Sequence, residues 1–204
     1  MRKFFISIMF AVTTMVNAQE IDSLFVNMPD SLFPYLPREK RVELLNIAKI
    51  TSDTPTSLPT MYNGMAKLLL HDKECIKIAL DSLSSVELGL QKSDGSVVCC
   101  VLRTVAAPER STVASIYSDK WEKIGDINLE AVTLTHRPDT MTTERYEELL
   151  KLIEFQLVEA HFENVSTIVL KQNVPLVSEK ERKDLAAILL QRKMKWNGRE
   201  YVCE

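Results

Sequence analysis

The sequence predicts an α+β fold: an antiparallel β-sheet built from short strands and hairpins, packed with about three α-helices. Two observations carry this. Between residues 65 and 135 apolar side chains recur with period 2 in short runs divided by turn signals, the pattern of half-buried antiparallel strands. Before and after that region the period is 3.6, and capping residues open the helical runs. Five glycines in 204 residues also exclude a glycine-rich phosphate cradle, since neither G-x-G-x-x-G nor G-x-x-x-x-G-K-[ST] occurs.

The first segment is read as an export signal. Arg2 and Lys3 form a positive start, Phe4 to Val16 is almost continuously apolar, and Val16-Asn17-Ala18 ends in the short residues that a signal peptidase reads. The apolar run is shorter than the roughly 20 residues of a spanning helix. Cleavage between Ala18 and Gln19 is therefore expected, with residues 19–204 forming a single α+β domain and a possible subdivision near 137. No further run approaches spanning length, so no transmembrane segment is expected in the mature chain, and export to the periplasm or cell surface follows.

Residues 19–36 read as a proline-bounded N-terminal segment, because Pro29, Pro34 and Pro37 interrupt any continuous helix. Pro37 suits a first helical position, and Val42, Leu45 and Ala48 share one stripe, giving a helix over about 37–50. The Ser/Thr/Pro-rich stretch 51–60 reads as a loop. Strands are expected at 67–70, 75–80, 86–90, 97–105, 112–117 and 129–135, with Asp94-Gly95 as a hairpin turn. Thr142 caps a second helix through Tyr146, Leu149 and Ile153. Strands at 155–162 and 165–170 follow, joined near Glu163-Asn164. Ser178-Glu179-Lys180-Glu181 is a capping box that opens the third helix, and Asn197-Gly198 suits a two-residue type I′ turn in a closing hairpin.

Composition narrows the functional classes. A formal charge of −3 lacks the basic excess of a nucleic-acid binder. Three scattered histidines and four cysteines show no metal-ligand spacing, so no metal and no cofactor is expected. Cys99 and Cys100 lie on opposite faces of one strand, which leaves open either buried free thiols or one bridge involving Cys75; Cys203 stands apart near the C-terminus. No G-x-S-x-G elbow surrounds a serine.

Weak candidates remain. His136-Arg137-Pro138-Asp139 gathers a base, a cation and a carboxylate at a strand end. His161 shares a strand face with Glu159 and Glu163, and His71-Asp72 reads as a turn. Trp121, Trp196, Tyr117 and Tyr201 offer aromatic surface for sugar stacking or for the edge of a core. No catalytic residue is assigned. The reading is a non-catalytic exported envelope protein that binds an unknown envelope protein or glycan, with Leu24, Phe25, Leu32, Phe33 and Tyr35 as candidate anchors. The alternative is a hydrolase using a carboxylate pair on a cell-wall or dietary polymer.

Three segments carry a family resemblance: Met28-Pro29-Asp30-Ser31-Leu32-Phe33-Pro34-Tyr35-Leu36 with Arg38 and Val42-Glu43-Leu44-Leu45; Thr104-Val105-Ala106-Ala107-Pro108 leading to Ile116-Tyr117 and Trp121; and Lys195-Trp196-Asn197-Gly198. Together they resemble DUF3256, an exported Bacteroidales family of unknown function. The resemblance implies export and host type and supplies no site residues. In such a host, the Asp-[Ser/Thr]-apolar triplets resemble O-glycosylation acceptors, which nominates Ser23, Ser31, Ser82 and Thr140. The same triplets also suit turns and caps, because their side chains bond local backbone.

Overall fold

A computed structural model describes residues 16–51, 56–93 and 95–204. Most of the predicted export signal, residues 1–15, lies outside the described residues. Among those described are four helices and two antiparallel sheets, an α+β architecture. The helices are α1 (Val16–Asn27), α2 (Arg38–Ile50), α3 (Thr143–Leu150) and α4 (Glu179–Ala186).

The first sheet is a seven-stranded meander in sequence order: β1 (Ser57–Pro59), β2 (Met65–His71), β3 (Cys75–Ala79), β4 (Ser84–Ser93), β5 (Ser96–Ala106), β6 (Arg110–Ser118) and β7 (Lys123–Ile127). The second has the order β11-β10-β9-β8, from β8 (Leu157–Asn164), β9 (Thr167–Asn173), β10 (Gln191–Trp196) and β11 (Tyr201–Cys203).

The central strands of the first sheet are covered on both faces. On β5, Cys99 and Val101 join the core under α1 and α2, whereas Cys100 and Leu102 join Val158, Ala160, Ile168 and Leu170 of the second sheet. This alternation explains why β4 is buried from Ser85 to Gln91. Gly89 is required there. A Cβ at this position would lie 2.8 Å from Cζ of Phe162, whose ring crosses from β8 onto β4.

The two sheets are also joined by buried polar groups. Thr112 Oγ1 accepts from the Ala160 N–H at 2.9 Å, and Glu87 Oε2 accepts from the Phe162 N–H at 3.0 Å. Gln91 donates to Tyr201 Oη at 2.8 Å and to the Val165 carbonyl. β8 is an edge strand, and these side chains satisfy part of its open edge, which would otherwise be a template for mispairing.

Several expectations are corrected. Residues 19–36 hold more than a proline-bounded segment: α1 runs to Asn27, just short of Pro29, and no helix continues through Pro29, Pro34 and Pro37 to α2 at Arg38. The backbone of the expected Ala18–Gln19 junction lies in α1, and the described buried positions begin beyond it, at Ile21. β1 forms within the stretch read as a loop. Residues 129–135 form turns with one isolated bridge, Thr135 to Leu189, because Leu129 and Leu134 are buried by the second sheet's core rather than by strand pairing. The turn between β8 and β9 falls at Val165-Ser166, enclosed by the Asn164–Thr167 pair, and the strand irregularity lies before it, between Phe162 and Asn164. The closing hairpin pairs Trp196 with Tyr201. Gly198 takes a positive φ of 103°, and Asn197 accepts from the Arg199 and Glu200 N–H groups. Asn197 therefore caps the turn, and the chain reverses one residue later than expected.

Candidate binding cleft

The second sheet and α4 build an open cleft of about 320 Å³. The end of β9 supplies Lys171, Gln172 and Asn173, and the following segment adds Val174 and Val177. α4 supplies Arg182, Leu185 and Ala186, and the run into β10 adds Leu189, Leu190 and Gln191. The floor is apolar because Val174 and Leu185 belong to the core that joins α3 to α4, with Val177 and Leu189 packed against it. Lys171, Arg182, Gln172, Asn173 and Gln191 bring cationic and amide groups to the same cleft, where Arg182 also pairs with Glu109 at 3.5 Å and Asn173 donates to the Arg110 carbonyl at 2.7 Å.

Local chemistry fixes this frame. Ser178 accepts from the Glu181 N–H, and Glu181 accepts from the Ser178 N–H and hydroxyl at 2.7 Å, completing the capping box at the start of α4. The hydrogen bonds from Ser178 hold the Glu181 carboxyl below its usual range. Arg145 of α3 bridges to Asp184 of α4 at 2.8 Å. Gln172, buried, donates to the Phe155 and Asn173 carbonyls at 3.3 Å. Glu159 pairs with Arg110 at 2.5 Å and accepts from Asn173 at 3.3 Å. A second cleft of about 250 Å³ between residues 130–135 and the end of α3 shares Gln172 and contains one acid, Glu130.

The residues singled out from sequence do not converge on either cleft. His136, Arg137 and Asp139 are exposed, and Arg137 donates to the Met141 carbonyl at 2.7 Å. His161 is exposed, but its flanking carboxylates have partners: Glu159 with Arg110, Glu163 with Lys193 at 2.6 Å. His71 reaches far outside its predicted turn and meets Asp22 of α1 at 2.6 Å, where Asp22 also pairs with Lys49 at 3.0 Å.

The aromatic candidates split into two separate pairs, Tyr117 with Trp121 and Trp196 with Tyr201. The indole N–H groups are spent on the Leu24 and Lys92 carbonyls at 3.1 and 2.9 Å. They are core edges rather than one stacking platform. The proposed N-terminal anchors are likewise withdrawn into the fold, since Leu24, Phe25 and Phe33 are buried and Leu32 and Tyr35 pack against them.

All four cysteines are free in the structure, with Cys75, Cys99 and Cys100 buried. Cys75 and Cys100 share a row but are separated by Gly89 of β4, two strand spacings or roughly 10 Å, beyond disulfide reach. Burial pushes the thiols of Cys75 and Cys99 up to about 12 and that of Cys100 well above its ordinary value.

The four candidate acceptor hydroxyls, on Ser23, Ser31, Ser82 and Thr140, are on exposed residues. Three of the preceding aspartates have structural roles: Asp22 with His71, Asp30 with Arg41, and Asp81 in bonds to Leu83 and Ser84.

Arg41 was missed. It reads as one more charge on a solvated helix, yet it is 1% exposed. It donates to the Leu36 carbonyl at 2.9 Å, the Met28 carbonyl at 2.5 Å, the Val26 carbonyl at 3.2 Å and Asp30 Oδ1 at 3.0 Å. The cleft was missed too: its lining lies within residues 171–191, but no motif marks those residues, and they face one another only once β9, α4 and β10 are assembled.

The sequence matches the family described as "Protein of unknown function (DUF3256)" over residues 13–201. A solved domain of an uncharacterized protein from Porphyromonas gingivalis W83 shares the fold, with a TM-score of 0.71 and 21% identity over 91% of this chain and 98% of that one. No curated protein matches the chain.

Proposed function

Since the chain belongs to the DUF3256 family, whose description carries no activity, we propose from its geometry that it is a non-catalytic exported envelope protein that binds a protein partner. The cleft between β9, α4 and β10 carries this reading. It has an apolar floor beside two cations and three amides, and its described lining includes no carboxylate, thiol, imidazole or hydroxyl. Such a surface suits an apolar side chain next to a carboxylate on a partner segment. A glycan is the poorer fit, because no aromatic ring lines the cleft for a sugar to stack upon. The acids with shifted pKa values, Asp81, Asp126 and Glu181, are all lowered by hydrogen bonds, which suits structural anions and not proton donors.

Export and modification belong to the same proposal. Cleavage after Ala18 leaves every described buried residue of α1 in place, and the exposed Ser23, Ser31, Ser82 and Thr140 are offered as O-glycan acceptors. Among the described residues no helix is long and apolar enough to cross a membrane.

A peptide library displayed on phage and panned on the mature chain tests the binding reading. Enriched peptides should pair apolar with acidic residues and lose binding to a Lys171→Glu/Arg182→Glu variant of unchanged melting temperature. Selection indifferent to that variant, or turnover of peptidoglycan or peptide substrates, would overturn it.

A further inference from the structure

The side chain of Gln172 is committed at one end only. It is 6% exposed, and its Nε2 donates to both the Phe155 and the Asn173 carbonyls at 3.3 Å. Two carbonyl acceptors settle which end of the amide is nitrogen and use both of its hydrogens, so Oε1 points away from them. No described residue donates to that oxygen. A buried amide that lines two clefts thus turns an unpartnered acceptor towards them.

The second cleft surrounds this acceptor with a defined chemistry. Val132, Leu150 and Ile153 give it apolar surface, and Glu130 and Gln156 join Gln172 as its polar groups. Glu130 is the one charged residue of the described lining, is exposed, and has no ion pair or side-chain hydrogen bond among the described residues. Lys151 and Glu154, beside Leu150 and Ile153 in the chain, carry opposite charges and stand outside the lining. The wall is rigid. Leu190 donates to the Leu134 carbonyl and His136 to the Ile188 carbonyl, both at 2.8 Å, and Thr135 Oγ1 accepts from the Tyr146 hydroxyl at 3.1 Å. An anion here would meet a carboxylate and an amide whose donors are spent. A cation with N–H donors would satisfy Glu130 and Gln172 Oε1 together.

We propose that the second cleft binds a cationic N–H donor on an apolar stem, either an arginine or lysine side chain of a protein partner or a free alkylguanidinium or alkylammonium ion. The stem lies on Val132, Leu150 and Ile153, and the head is shared between Glu130 and Gln172 Oε1. This site goes beyond the first cleft, whose cations select an acid, and neither Lys171 nor Arg182 lines it. Its fate is therefore independent of the first cleft's.

Titration of the isotope-labelled mature chain with Nα-acetylarginine amide, followed by NMR, tests the site. Probe concentrations to about 50 mM suit the millimolar Kd expected of so small a ligand. Saturable shifts should appear at the Glu130–Thr133 amides and at the side-chain amide of Gln172. Nα-acetylcitrulline amide, alike in shape and uncharged, should bind about threefold more weakly or worse, and Glu130→Gln should weaken arginine binding by as much. Because Glu130 is exposed and unpaired, that variant should keep the wild-type melting temperature. Butylguanidinium separates the two sources: binding as tight as the capped arginine assigns a free cation, and weaker binding assigns a side chain of a partner. Shifts confined to other surfaces, equal binding of the citrulline probe, or full arginine binding to Glu130→Gln would each overturn the proposal.

Discussion

Arg41 shows how one side chain can hold a segment that lacks regular structure. Its guanidinium gathers the carbonyls of Val26, Met28 and Leu36 as the chain leaves α1 and turns into α2, and Asp30 supplies the countercharge. Burial lowers its pKa, an effect opposed chiefly by Asp30. Removing the arginine leaves buried acceptors without donors, so Arg41→Met should destabilise by about 2–5 kcal/mol despite similar volume. Urea titration followed by tryptophan fluorescence would measure it, and a loss below about 0.5 kcal/mol would mean that water replaces the guanidinium. The buried thiols give a second prediction. A thiol with a raised pKa keeps its proton when folded and loses it when unfolded. Stability is therefore full below about pH 9 and falls between about 9 and 12, by at most ~1.4 kcal/mol per thiol per pH unit. Native alkylation at pH 8 should modify Cys203 alone, and all four cysteines after unfolding. Rapid native labelling of Cys99 would contradict its burial.

At the scale of elements, what was legible in the sequence was local. Thr142 caps α3 by accepting from the Arg145 N–H, Ser178 and Glu181 form their box, and Ser93 pairs with Ser96 between β4 and β5, although Asp94 of the expected turn lies outside the described residues. Each signal lies within a few residues of its consequence. α1 was missed because its apolar stripe, Ile21, Leu24 and Phe25, spans barely more than one turn before the prolines, which follow the helix. The cleft was illegible for another reason: Lys171, Arg182 and Gln191 acquire a common purpose only when β9, α4 and β10 are assembled. Two glycines test the element packing. Gly198→Val forces a β-branched residue to a φ of 103° and should cost on the order of 1 kcal/mol or more, read as a lower melting temperature. Gly89→Ala drives a methyl into the Phe162 ring and should cost about 1–3 kcal/mol. Pairing it with Phe162→Leu should recover part of that loss. Additive losses in the double variant would show that the ring does not press on Gly89.

At the scale of the whole molecule, the question is whether the two sheets are separable. The sequence suggests a possible subdivision near 137, and the second sheet does begin beyond it. Yet its inner face has no core of its own: Val158, Ala160, Ile168 and Leu170 pack on Cys100, Leu102 and Ala114 of the first sheet. Its edge strand also depends on the first sheet, through Thr112 and Glu87, for two backbone hydrogen bonds. Separation would therefore expose apolar surface on both pieces and leave β8 with an open edge, which is a route to aggregation rather than to two stable domains. The intact mature chain should accordingly unfold in one calorimetric transition, with equal calorimetric and van't Hoff enthalpies. Residues 137–204 expressed alone should show no cooperative melting. Thr112→Val, which leaves the Ala160 N–H buried without an acceptor, should lower the single transition of the full chain by about 1–3 kcal/mol without splitting it. Two resolved transitions, with only the later strands affected by Thr112→Val, would instead divide the molecule near 137 and make the inter-sheet contacts an interface between domains.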